Sequence, residues 1–249
     1  MHCEPMDIQR EQRQFRNAKP SRLGRGIERL THPCGKALAS VVPKSLVEAV
    51  LAGLDRAVAA PQLIRFSHDT SDMQAAHQAA KKVARTARGI SATTGAAAGM
   101  AGALSMSADI PATIAIGLRT IRDTGRAFGF DGEGSAEKLF RLQILELAAL
   151  DDPEERNKRI ADLESTIGGQ GQLVDADHEH ITPVVDQAVE RISRAIAFAG
   201  FRSRAGMIVP IVGSVVGGIV NSSFQNDVGK AARFAFQERA SKRDKQVSE

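Results

Sequence analysis

Asp175–Ala176–Asp177–His178–Glu179–His180 holds the densest set of metal-ligand side chains in this chain. Zinc needs three or four donors converging on one point. His178 and His180 point the same way only on extended backbone. The helical HExxH arrangement is not formed, because Thr182 stands where the second histidine belongs. The segment reads as an acidic loop ahead of a helix capped by Thr182, and it implies no metal and no cofactor.

Asp109 is the second candidate, the sole charge in the run Gly89–Gly117 (GISATTGAAAGMAGALSMSADIPATIAIG). A lone carboxylate in apolar surroundings has a raised pKa and could handle a proton. Asp followed closely by Pro111 is also a helix-start signal, since Asp caps and Pro is tolerated in a first turn. That role is the one expected here, with one helix ending near Ser107 and the next starting at Ile110. The other motifs fail. Gly213–Ser214 has Val212 where a nucleophile elbow needs glycine, and Gly35–Lys36 and Gly229–Lys230 lack the Ser or Thr of a phosphate loop. His32, His68 and His77 are isolated, so no catalytic set emerges.

What must position anything in this chain is a pair of glycine-rich segments. Gly95, Gly99 and Gly102 fall on one helix face at i, i+4 and i+7. Gly206, Gly213 and Gly217 do the same beside the apolar run Met207–Val220 (MIVPIVGSVVGGIV). Such faces let helix backbones approach closely, and each glycine costs about 1 kcal/mol against alanine unless packing offsets it. The two segments are expected to pack together.

Around them the pattern is helical throughout. Residues 1–35 are basic and broken by Pro and Gly, and read as a disordered arm. Ser45–Glu48 is a capping box for a helix that Pro61 stops, and Ser71 or Asp72 caps another, with Lys81, Lys82, Arg85 and Arg88 on its outer face. The helix after Pro111 carries an Arg119–Asp123 pair and ends at Gly129. Further helices run through Leu139–Leu150, from Asp152–Pro153 to Gly168, from Thr182 to Gly200, and finally to Arg239. Gly168–Gly171 reads as a flexible loop. No segment alternates as a strand does, so the fold class is all-α, a multi-helix domain over 36–240 with a charged tail at 241–249.

Composition narrows the function. The formal net charge is +4 and there is no Trp or Tyr, so a stacking platform for single-stranded nucleic acid is missing, and nucleic acid is not an expected partner. Two cysteines, Cys3 and Cys34, make no disulfide framework. The arginine-rich first thirty residues contain no apolar signal core, which points to the cytoplasm. The span 207–220 is shorter than the about 20 residues a membrane crossing needs. As a hairpin flanked by Arg85, Arg88, Arg202 and Arg204, the two apolar segments could dip into the inner face of the cytoplasmic membrane.

Several separated motifs occur in order: Ala108–Asp109–Ile110–Pro111, Gly129–Phe130–Asp131, Ile208–Val209–Pro210–Ile211–Val212–Gly213, Val216–Gly217, Asn221, Val228–Gly229 and Ala231–Ala232. Over residues 40–240 the chain resembles the EcsC protein family, with Phe128 where that family often has Tyr. The resemblance carries over no catalytic residues. Because the founding member is encoded beside the components of an ABC transporter, it implies a non-enzymatic accessory protein linked to transport, working at a membrane surface or on a membrane protein complex. The alternative is a soluble, peptidase-like hydrolase with its site near Asp109 or His178/His180.

Overall fold

The computed structural model describes residues 5–17, 44–100, 106–150, 152–174, 189 and 213–247. They form helices α1 (Pro5–Arg16), α2 (Lys44–Ala59), α3 (Met73–Met100), α4 (Met106–Ala127), α5 (Ser135–Ala149), α6 (Pro153–Ser165) and α7 (Gly213–Val247). Among the described residues there is no strand, only one bridge between Ile167 and Leu173. The all-α class holds.

α7 is the axis. Every residue from Ala231 to Gln237 is buried, which marks a helix surrounded on all sides rather than one with a single apolar stripe. α3 lies along it, α4 and α5 pack on its other sides, and α1 and α6 touch its flanks. α2 is held by α4. The core between them includes Leu54, Ile114, Leu118, Ile121, Phe128, Phe140, Leu145 and Phe236. α3 and α7 run antiparallel, since His77 meets Gln237, Ala84 meets Gly229 and Arg88 meets Asn226. Gly229 permits this closeness, because a Cβ there would lie 2.7 Å from that of Ala84.

Local signals fix most helix ends. The Asp72 carboxylate accepts from Gln74 N and Ala75 N at the start of α3, and Asp152 caps α6 in the same way with Pro153 behind it. Gly129, at φ +81°, closes α4. Phe130 N bonds Gly125 O and Gly129 N bonds Arg126 O, the paired bonds of a Schellman ending.

Several expectations are corrected. The arm is not disordered over Pro5–Arg16. That span is α1, docked on α7 by stacking of Phe15 on Phe234 at 4.6 Å and by ion pairs, none of which an apolar stripe would betray. α4 begins at Met106, so Asp109 and Pro111 are its fourth and sixth residues rather than a cap and a start. Arg119 does not pair with Asp123. Its Nε donates to Pro61 O (2.8 Å), while Asp123 takes Arg122 (2.7 Å) and the Leu63 amide (2.6 Å). The reason is the C-terminus of α2, whose orphan carbonyls face α4. Arg122 donates to Val58 O and Ala60 O, and also to Ala57 O. The charged tail is helical through Val247, and its cations cap other helices: Lys242 Nζ bonds Ile167 O (2.6 Å) and Arg243 Nη1 bonds Phe128 O (3.0 Å). The Gly168–Gly171 turn is tied down, Gly168 N to Gln172 O (2.8 Å) and Gly171 O to Arg239 Nε (2.5 Å).

Candidate functional site

Two helices each contribute residues four apart to one polar cluster, a spacing that sets side chains side by side on a helix face, and a third contributes an acid. α3 gives His77 and Lys81, α7 gives Arg233 and Gln237, and α1 gives Glu11, with the apolar ring of Phe15 four residues on stacked on Phe234 beside it. The Glu11 carboxylate sits at the centre. Its Oε1 accepts from Arg233 Nε (2.7 Å) and Nη2 (2.6 Å). Its Oε2 faces His77 Nε2 at 3.3 Å and Lys81 Nζ at 3.9 Å.

The proton on His77 is placed by its neighbours. Gln12 Nε2 donates to Gln237 Oε1 (3.3 Å), which turns the Gln237 amide so that its Nε2 donates to His77 Nδ1 (2.7 Å). The remaining imidazole hydrogen is therefore on Nε2, the ring nitrogen nearest Glu11, without making a hydrogen bond to it. Burial drives the His77 pKa down to about 4, helped by the Lys81 and Arg233 charges and opposed by Glu11 and Asp7, so the ring is neutral at pH 7. Beside the cluster lies a cavity of about 450 Å³ lined by Arg10, Gln14 and Phe15 of α1, Lys81 of α3, and Lys230 and Phe234 of α7. The basic side chains of the cluster converge on one carboxylate, that of Glu11. The two histidines among the described residues are both engaged, His77 here and His68 through Nε2 to Ala127 O (2.8 Å).

Sequence reasoning reads His77 as isolated and Gly229–Lys230 as a failed phosphate loop, and does not bring these residues together. The signal is present as i, i+4 pairs of polar residues within otherwise apolar helical runs, His77/Lys81 and Arg233/Gln237. The residues it does single out are scattered. Gly95 and Gly99 lie in α3, and Gly213, Gly217 and Asn221 in α7. What those glycines touch lies outside the described residues, as do Gly102, Pro210, Arg202, Arg204, His178 and His180 and the side chains of Asp109 and Pro111. Gly129 ends α4, and Asp131 just beyond it pairs with Arg126 at 2.5 Å. Arg85 is exposed, whereas Arg88 reaches Asn226 Oδ1 (3.4 Å). Among the described residues no helix is long and apolar enough to cross a membrane.

Comparison with known proteins adds a family. The model of the EcsC protein family matches residues 7–240. The chain is similar to the uncharacterized protein YdbA of Bacillus subtilis (strain 168), 26% identical over 58% of this chain and 50% of that protein. It is also similar to protein EcsC of the same organism, 25% identical over 78% of this chain and 73% of that protein. The chain thus spans half the length of the first relative. No solved structure gives a significant match. The family match starts at residue 7 and so takes in α1, which lies ahead of the 40–240 span where the motifs carry the resemblance.

Proposed function

We propose a role that starts from kinship: this chain belongs to the EcsC protein family. In our reading it is a non-enzymatic accessory protein linked to transport, attached to the cytoplasmic face of the membrane or to a complex embedded there. The observation that carries this reading is the outer stripe of α3. Gln78, Lys82, Arg85, Gly89 and Ala92 are all exposed along one side of a single helix, so a basic surface runs directly into an uncharged one of small residues. The uncharged part, from Gly89 to Met100, is about 17 Å long at 1.5 Å per residue. A rigid element with cationic residues at one end and a small, uncharged segment at the other suits attachment by charge and shallow insertion together.

Washing of cell membranes tests this. High salt screens charge but not apolar contact, so it should release only part of the protein, and detergent the rest. Reversing the basic stripe with Lys82→Glu and Arg85→Glu should move most of the protein to the low-salt soluble fraction, each lost cation removing about 1 kcal/mol of surface attraction. Recovery of nearly all the unaltered protein in that fraction would defeat the membrane reading.

A further inference from the structure

The donors that receive Glu11 belong to the body of the protein, whereas Glu11 itself arrives on α1. Arg233 and His77 are 9% and 1% exposed, and both sit on the two longest described helices. Among the described residues Glu11 is the acid that answers both Arg233 and Lys81. It does so incompletely. The His77 Nε2 hydrogen is buried and out of hydrogen-bond alignment with Oε2, and Lys81 stands 3.9 Å away. A buried donor left without an aligned acceptor is costly, so this N–H is poised for an acceptor that a planar carboxylate on α1 does not supply. Three donor groups, a guanidinium fork, an imidazole N–H and an ammonium, approach from two helices. A tetrahedral phosphate, with three acceptor oxygens, matches that spread better than the two oxygens of Glu11. The adjoining cavity of about 450 Å³ falls in the range of small-molecule sites and adds Arg10 and Lys230, against one further acid, Asp7, with Phe15 and Phe234 as apolar walls.

We propose that His77, Lys81 and Arg233 anchor a binding site for a phosphomonoester, whose phosphate takes the place of the Glu11 carboxylate and whose body occupies the cavity beside it. Ligand and Glu11 compete, so ligand capture removes the Glu11–Arg233 tie and leaves α1 held more loosely, by the Phe15–Phe234 stack that walls the cavity. This site is independent of the membrane reading, since Lys82 and Arg85 take no part in it.

The test uses the full chain titrated with inorganic phosphate at constant ionic strength, followed by thermal melting and by amide exchange of Pro5–Arg16. In the wild type, phosphate should speed exchange in α1. Glu11→Gln keeps the side-chain shape and removes the competing charge, so it should bind phosphate about tenfold tighter or better, the gain expected when Glu11 occupies the donors nine-tenths of the time or more. Adding Arg233→Gln, or the milder Lys81→Gln, to Glu11→Gln should cancel that gain. Equal phosphate shifts in wild type, Glu11→Gln and the double variants, with unchanged exchange in α1, would overturn the site. Phosphatidylcholine vesicles carrying phosphatidic acid make the second arm. A Glu11→Gln-dependent gain with these vesicles alone assigns the phosphate to a lipid headgroup, and one with inorganic phosphate alone assigns it to a soluble ester. The wild-type exchange measurement needs no variant to fold.

Discussion

Arg233 holds Glu11 by two donors on one oxygen, Nε at 2.7 Å and Nη2 at 2.6 Å, joining residues that lie 222 positions apart in the chain. This pair and the Phe15–Phe234 stack are what dock α1, with Arg156 4.1 Å above the Phe15 ring. Lys81 reaches Glu11 only at 3.9 Å, and the remaining ion pairs of α1 run through Arg16, whose side chain is 39% exposed; exposed pairs contribute at most about 1 kcal/mol. α1 is therefore attached at a few points, which places it at the low-stability end of the molecule, where ligand-responsive elements are drawn from.

Gly229 is where α3 and α7 come closest, and a side chain there meets the Ala84 Cβ at 2.7 Å. Gly229→Val should force the helices apart and lower stability by about 1–3 kcal/mol, read as a fall in melting temperature. Gly89, also helical, has open space where a methyl group would stand, so Gly89→Ala should stabilise by about 0.5–1 kcal/mol. A neutral Gly229→Val would remove the close-approach argument.

Arg122 and Asp123 are both buried and join α4 to α2, the guanidinium closing the carbonyl end of α2 and the carboxylate holding the Leu63 amide. Arg122→Met keeps much of the apolar stem but strands Asp123, leaving it Arg126 at 3.8 Å in place of the close guanidinium. A loss of about 3–5 kcal/mol is expected, measured by denaturant unfolding, since an uncompensated buried charge is what costs most when half a pair is removed. The paired change Arg122→Met with Asp123→Asn should recover part of it. No recovery would mean that the capping bonds, rather than the charge, carry the cost.

How much of this was legible in the sequence depends on what kind of signal each feature rests on. Caps at Asp72 and Asp152 and the stop at Gly129 are local, and were readable because a single side chain or a single φ decides them. Helix periodicity gave the class for the same reason. α1 is not legible because Phe15 and Glu11 dock through partners far along the chain, Phe234 and Arg233 more than two hundred residues away, and a polar helix with one aromatic gives only a weak stripe. The Arg119–Asp123 pairing failed because spacing fixes which side chains are neighbours on a helix but not what the next helix offers them. Here α2 offered unpaired carbonyls. The polar cluster was hidden twice over, since its members lie on three helices and its histidine looks solitary along the chain.

His77 gives the cluster a pH signature. Facing it are Glu11 and Asp7 from α1, Lys81 from its own helix and Arg233 from α7, and burial with the two cations holds its pKa down to about 4. Above pH 6.5 the ring is neutral whether the chain is folded or unfolded, and it contributes no pH dependence. As pH falls from 6.5 the unfolded chain takes up the proton while the folded chain refuses it until about 4, so stability must decline across that window and level off below it. The decline attributable to this residue is about 3 kcal/mol. His77→Gln keeps a hydrogen-bonding side chain and removes the titration. Unfolding free energies measured from pH 7.5 to 4 should fall less steeply for the variant than for the wild type, whatever their offset at neutral pH. Parallel curves through that window would show that His77 does not stay neutral in the folded protein.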